Sequence, residues 1–451
     1  MLLTSRQRLT SLLCLIYFTT LLITPDSYKY GAILLAVTAL IMLPSTWQAL
    51  KTRPAILISG SLLLYFVVTL AFALPGEHYA QLDMPSRVLL AIMIFALLLK
   101  YPPSLKAVFY GCGIGASAVG IIALYQHYIL DIRALSRNGF MSIQVAGMAA
   151  SLSVFSIFAY IYSCKRALPT LKAIAFLGIT LGFIATLLSG GRGSWVITPF
   201  VALWALVYYR KVFSRRDYVA MVVSIALIIA TALVPALNRA GLVLSDLARY
   251  QQATEITAPP VTAHQPKESA VTVSPKDKNQ SSQADTTPSS QTSPVAATTP
   301  STPRVGSSSG VRLELWKTAL HLFTNNVITG TGYTDFTDKK QALVDKHQVD
   351  SIVMRFSRAH NQLLEELQVK GLIGGLTLIV LIAAPWLATR KTNTGDTPDK
   401  HFATIMLRSH LILIAGYMLT QHYLNHHSGI LFFSLGVVIF ASIALRAEAR
   451  D

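Results

Sequence analysis

Long apolar blocks alternate along the chain with short polar stretches, many of them basic. The blocks run for about 16 to 25 residues, long enough to cross a bilayer as helices. They fall at roughly 9–24, 31–49, 55–74, 87–101, 105–125, 139–163, 171–189, 194–209, 218–236, 369–389, 403–421 and 428–446, which predicts an all-α polytopic membrane protein of about twelve transmembrane helices. Pro102 and Pro103 separate the fourth block from the fifth. The first block follows Arg6 and Arg8 and lacks a small-residue cleavage site. It reads as an uncleaved first span rather than a signal peptide.

One long hydrophilic segment, at about 237–368, interrupts the alternation. Its first part, at about 237–253, has the pattern of a helix lying along the membrane interface. From about 254 to 308, Thr, Ser, Pro, Gln and Ala dominate with almost no aromatic residues, a composition that predicts a disordered linker. From Val311 a helical spacing of apolar residues returns, through Trp316 to Phe323. It stops at Asn325-Asn326, ahead of the turn-rich Thr329-Gly330-Thr331-Gly332-Tyr333. The expected organisation is about nine helices over 1–236, the loop over 237–368 with its insert at 254–308, and about three helices over 369–451.

Composition agrees with the pattern. Of 451 residues, 53% are hydrophobic and only 13% charged, against about a quarter charged in soluble domains. The net charge of +17 would suit a nucleic-acid partner, but its distribution does not. Arg6, Arg8, Lys51, Arg53, Lys100, Lys106, Lys165, Arg166, Lys172, Arg210, Lys211, Arg215, Arg216, Arg390, Lys391, Lys400, Arg446 and Arg450 fall in one alternating set of loops. The short loops of the other set carry Lys29, Arg87, Arg133, Arg137 and Arg192. By the positive-inside rule both termini are cytoplasmic, and the long loop is extracytoplasmic, which in a bacterium means periplasmic. Cys14, Cys112 and Cys164 form no CxxC pair and no even framework, so neither a disulfide scaffold nor a zinc site is expected. Acidic residues do not cluster within the spans, as an ion-coupled transporter often requires.

Candidate chemistry lies on the sparsely charged side. Arg192 stands in the turn Ser189-Gly-Gly-Arg-Gly-Ser-Trp195. Gly193 would let a ligand approach the backbone, Ser194 would cap the following helix, and the arginine beside the helix N-terminus would complete an anion site. The alternative is an arginine reaching out to lipid phosphates. Arg312, with Trp316 four residues on, is either a second clamp on the same anion or a solvated helix residue paired with Glu314 or an interfacial lipid. Arg133 and Arg137 would add positive potential or contact lipid. In the last short loop, Gln421-His-Tyr-Leu-Asn-His-His-Ser428, His426 and His427 could line a pocket; the histidines have no accompanying carboxylate, and no metal is expected.

The stretch from Arg358 to Gly375 reads as a charged amphipathic helix running without a turn signal into a span. On that reading His360, Leu363, Leu364 and Leu367 share a face. Glu365 and Glu366 lie off it, on a solvated surface. His360, beside Asn361, would face a water-filled pocket at the membrane surface, where a proton-transfer group is useful, or pack in a small extramembrane core. The chain has no GxSxG, HExxH or Walker motif.

These residues carry a resemblance. The chain resembles the O-antigen ligases, within the superfamily that also holds O-antigen polymerases and some protein O-oligosaccharyltransferases. His360, Asn361, the residues 362–370, Gly371 and Gly375 match the ligase pattern of His-Asn, an intervening stretch, Gly and a further small residue. Arg192-Gly193-Ser194 matches the superfamily's Arg-Gly-Ser turn, and Arg312 with Trp316 its Arg-x-x-x-Trp helix. The likeness extends over nearly the whole chain, except that the Ser/Thr/Pro-rich insert departs from the usual compact loop.

The resemblance implies a GT-C-like glycosyltransferase of the bacterial inner membrane with a periplasmic site. Its donor would be O-antigen on undecaprenyl diphosphate, its acceptor the lipid A–core, and it would need no cofactor. His360, Arg192 and Arg312 would be catalytic, with Gly193, Ser194, Trp316, Asn361, Arg133, Arg137, His426 and His427 contacting substrate. A polymerase, a protein-glycosylating enzyme and, from another class, a lipid or polysaccharide transporter are the alternatives.

Overall fold

The computed structural model describes residues 3–136, 142–255, 308–390 and 397–446, and among these all regular structure is helical. In chain order the helices are α1 (Ser5–Thr20), α2 (Tyr28–Thr46), α3 (Arg53–Ala73), α4 (Arg87–Lys100), α5 (Leu105–Leu124), α6 (Ser142–Arg166) and α7 (Pro169–Leu188). They continue as α8 (Arg192–Tyr208), α9 (Arg215–Glu255), α10 (Ser308–Asn325), α11 (Phe336–Asp345), α12 (Gln362–Ala388), α13 (Pro398–Met418) and α14 (His427–Ala444). Arg137 and nearly all of the 254–308 insert lie outside the described residues.

Nine helices among the described residues are long and apolar enough to cross a membrane: α2 to α7, the first part of α9, α12 and α14. Three further apolar blocks form shorter or more polar helices. α1 has 16 residues and α8 has 17, while α13 carries Arg408 and His410 along its 21. All three pack into the bundle: α1 against α5, α8 against α6, and α13 against α8 and α14. Prolines open α3, α7 and α13, where a missing N–H costs nothing. α6 and α14 are the central helices, buried almost all round. Small residues let neighbours approach; Gly178 of α7 lies against Gly113 of α5.

Cross-contacts sort the helix ends into two groups. At one end Arg6 reaches Tyr101, Lys100 reaches the Ser45 carbonyl, Arg166 pairs with Asp399 at 3.4 Å, and Lys172 pairs with Asp217. At the other, Arg133 reaches Ser189, Arg358 reaches Gln81, and Asn361 reaches Leu419. The first is the basic end of the bundle; Arg192, Arg312 and His360 belong to the second.

Two local expectations are corrected. The 237–253 segment is not a separate interfacial helix. It continues α9, whose 41 residues extend about 60 Å at 1.5 Å per residue, twice a bilayer's hydrocarbon thickness. The stretch from Arg358 into the membrane is not one uninterrupted helix either. Asn361 caps α12 by accepting from the Leu364 N–H at 3.1 Å, so His360 lies outside the helix, at φ 53°. Within α12 the helix breaks at Gly371, at φ 59° and ψ −151°.

The turn-rich segment after α10 fills that break. Thr331 and Gly332 N–H groups donate to the Gln368 and Val369 carbonyls at 2.8 Å, and the Leu372 N–H donates to Val327 at 2.8 Å. A broken helix at the membrane surface leaves backbone groups that must find partners. Residues 327–332 supply them. α10, α11 and the turn at Ser351–Arg355 bury a second, smaller apolar cluster that includes Leu315, Leu322, Leu343 and Val353. It sits over the sparsely charged end, beside His360.

Candidate active site

Three separate parts of the chain meet at this end. Arg192 opens α8. The preceding turn takes Gly190 at φ 65° and uses Gly191 as the N-cap residue, with no side-chain cap. Ser194 does not cap the helix, as its position suggests. Its buried hydroxyl donates instead to the Gly191 carbonyl at 2.8 Å. Gly193 is buried against Thr420 of the α13–α14 link, so its missing side chain serves helix packing on that face. Arg133 steadies the turn by donating from Nε to the Ser189 carbonyl at 2.6 Å.

Arg312 lies in the first turns of α10, within electrostatic reach of both Arg192 and His360. Burial and the neighbouring Arg192 charge hold its pKa below the usual arginine range. Among the described residues no carboxylate forms an ion pair with either guanidinium, and Nη1 of Arg192 is buried with no hydrogen-bond partner. Two neighbouring cations without a counter-charge are costly at low dielectric, a cost that a bound anion would relieve. Glu314 accepts from the Asp350 N–H at 3.0 Å. Trp316 Nε1 is also buried without a partner.

His360 is half-buried and makes edge contacts with Phe356 at 5.9 Å and His422 at 4.8 Å between ring centres. It therefore touches the small extramembrane cluster on one side and the polar site on the other. Burial and the Arg312 charge lower its pKa, which favours the neutral ring. His422 in turn faces His426, centre to centre 4.6 Å. Burial and the neighbouring imidazoles push His422 down strongly and His426 to about 4. His427 turns away, toward Asp83 at 3.7 Å. His426 and His427 are the histidines expected to line the pocket, but His422 is the one whose ring meets His360. No local pattern distinguishes it.

The corner that presents His360 hangs on Glu365. Its carboxylate accepts from Arg358 at 2.9 Å, the Ala359 N–H at 2.8 Å and Gln368 at 2.8 Å. Arg358 also donates to Gln81 at 2.6 Å. Glu366 pairs with Lys370 at 2.6 Å, and Lys370 donates to Thr69 of α3 at 3.0 Å. Glu365 and Glu366 are thus buried, and the expectation of a solvated surface is overturned. Both acids point into a protein contact that α3 and the α3–α4 link complete. Gln362 joins the same network, accepting from the Leu424 N–H at 2.8 Å. Asn361 is also held structurally, donating to the Leu419 carbonyl at 3.0 Å.

Replacing Glu365 by Gln should cost about 1.5–3 kcal/mol, the range for a hydrogen bond to a charged group. Thermal unfolding of the purified protein would register it. An unchanged midpoint would show that the corner does not depend on this carboxylate.

The fold and the site together define a multi-pass helical membrane protein with a cation-and-imidazole site at one end of its bundle. Residues 177–379 match the family described as O-antigen ligase, a range that includes Arg192, Arg312, His360 and Gly371. The match is a likeness to that family over somewhat less than half of the chain. A Haemophilus influenzae (strain ATCC 51907 / DSM 11121 / KW20 / Rd) protein described only as uncharacterized is 25% identical over 438 residues, covering 95% of this chain and 97% of its own length.

Proposed function

We propose that the protein is an O-antigen ligase. It transfers the polysaccharide from undecaprenyl diphosphate to a sugar hydroxyl of lipid A–core at the periplasmic face of the bacterial inner membrane. The observation that carries this reading is the pair of uncompensated guanidiniums, Arg192 and Arg312, set beside a half-buried neutral imidazole, His360.

Transfer requires the acceptor oxygen to bond to the anomeric carbon as the bond from that carbon to the diphosphate oxygen breaks. Undecaprenyl diphosphate departs with the bonding electrons, and the acceptor's proton goes to His360. Charge grows on the leaving diphosphate, where Arg192 and Arg312 are fixed cations able to form paired hydrogen bonds. A single in-line attack inverts the anomeric centre. With guanidiniums in the role a divalent metal fills elsewhere, turnover should survive excess EDTA. A strict requirement for added divalent cation would remove the arginine-only mechanism.

The pH dependence follows from the site's electrostatics. A base works in its neutral form, and His360 is held below its ordinary value of about 6.5. Activity should therefore persist into mildly acid solution and fall only as pH drops through the depressed pKa. Arg312→Gln removes a nearby cation, so the acid limb of its residual rate should move toward higher pH. A limb that stays in place would argue against His360 as the titrating base.

The deciding experiment is reconstitution of the purified protein with lipid-linked O-antigen and lipid A–core, read as a product shift on a gel. Product with another glycan repeat or a protein acceptor, and none with lipid A–core, would instead identify a polymerase or a protein O-oligosaccharyltransferase. A transporter would give no covalent product.

A further inference from the structure

A cavity of about 720 Å³ opens on the lipid-facing side of the bundle between α8, the end of α12 and α13. Its walls are apolar and aromatic. Ile197, Phe200 and Trp204 of α8 face Ile405 and Ile412 of α13. Phe200 is 68% and Trp204 46% exposed, although water has no access to them in a bilayer. Arg408, Arg390 and His401 provide cationic or ionisable groups in the wall, and no carboxylate lines the cavity.

Arg408 is the anomaly. It sits ten residues into α13, about 15 Å along the helix, where an arginine is expensive and marks function by default. Among the described residues it forms no ion pair with a carboxylate, and its Nε is buried with no hydrogen-bond partner. The guanidinium lies over the Trp386 ring, 5.2 Å from its centre. Trp386 is two residues from the end of α12, so Arg408 reaches back toward the basic end of the bundle, to headgroup depth. Long arginine side chains near a membrane surface behave in this way.

We propose that this groove binds an anionic phospholipid from the leaflet at the basic end. Arg408 and Arg390 hold its phosphate, and its acyl chains lie along Phe200, Trp204 and Ile412. Charge complementarity selects this occupant: a zwitterionic lipid gains less from unpaired arginines, and a lipid without a phosphate gains nothing from them. None of the proposed transfer residues lines the groove, and its arginines, Arg390 and Arg408, come from just past the end of α12 and from α13.

Native mass spectrometry of the full-length protein, exchanged into detergent with equal phosphatidylglycerol and phosphatidylethanolamine, tests this. The wild type should retain phosphatidylglycerol preferentially. Arg408→Gln should reduce that preference about fivefold, the worth of one surface cation toward anionic lipid. Ile412→Trp fills the groove while keeping both arginines, and should displace the bound lipid even if Arg408→Gln fails to fold. Equal retention of the two phospholipids by the wild type would overturn the proposal. So would displacement of bound lipid by undecaprenyl phosphate with no dependence on Arg408.

Discussion

His360→Ala should lower O-antigen transfer in the reconstituted system by about 10²–10⁴-fold, the range for loss of a positioned general base. The protein should remain in the membrane at its usual level. Three features favour a chemical rather than a structural loss. His360 makes no hydrogen bond to any described residue, and its contacts are ring edges. The corner that carries it is held through Arg358, Ala359 and Glu365, not through the imidazole. Its positive φ of 53° is uncommon for a non-glycine residue, so alanine gains no backbone advantage there. Normal lipopolysaccharide in cells carrying only His360→Ala would overturn the assignment. Arg192→Ala should match that loss in the same assay, because neutral alanine leaves Arg312 alone against the leaving diphosphate.

How much of this was readable in advance differs with the range of the interaction. The apolar blocks carried the helices because each block holds its own signal, and Pro102-Pro103 divides α4 from α5 as expected. Arg192, Arg312 and His360 stand out as candidates because charge, glycine and histidine at the sparsely basic end are conspicuous against an apolar background, and the structure places them at one end of the bundle. Glu365 and Glu366 were misread for the opposite reason. Local helical spacing places them off the histidine's face, and a charged face on an amphipathic helix suggests solvent. Their own partners are near in sequence, Arg358 and Gln368 for Glu365 and Lys370 for Glu366. The groups that close over those pairs come from far away: Gln81 meets Arg358 across 277 positions, and Thr69 meets Lys370 across 301. No window of sequence contains both halves of such a contact. The ninth block ends as a span at Pro235, close to the expected 236, but the helix itself runs on to Glu255.

Gly371→Ala should destabilise the protein by about 3–5 kcal/mol, through backbone strain and a forced shift of its neighbours. The glycine stands in the His-Asn to Gly pattern that carries the family resemblance, and its backbone shows a physical reason for being there. At φ 59° and ψ −151° it occupies a region nearly closed to residues with a side chain. An added Cβ would also lie 2.6 Å from the Gly330 N atom and against the Ile328 backbone. Both neighbours belong to the segment whose N–H groups satisfy the carbonyls at the helix break, so neither can retreat without exposing polar backbone at the membrane surface. The damage should therefore spread from the break to α10, whose end leads into that segment, and displace Arg312 relative to His360. Gly371→Ala is expected to lose transfer together with thermal stability, whereas His360→Ala loses transfer alone. Thermal unfolding and turnover measured on the two variants side by side separate these outcomes. A Gly371→Ala protein as stable as the wild type would mean that the break in α12 does not hold the site together.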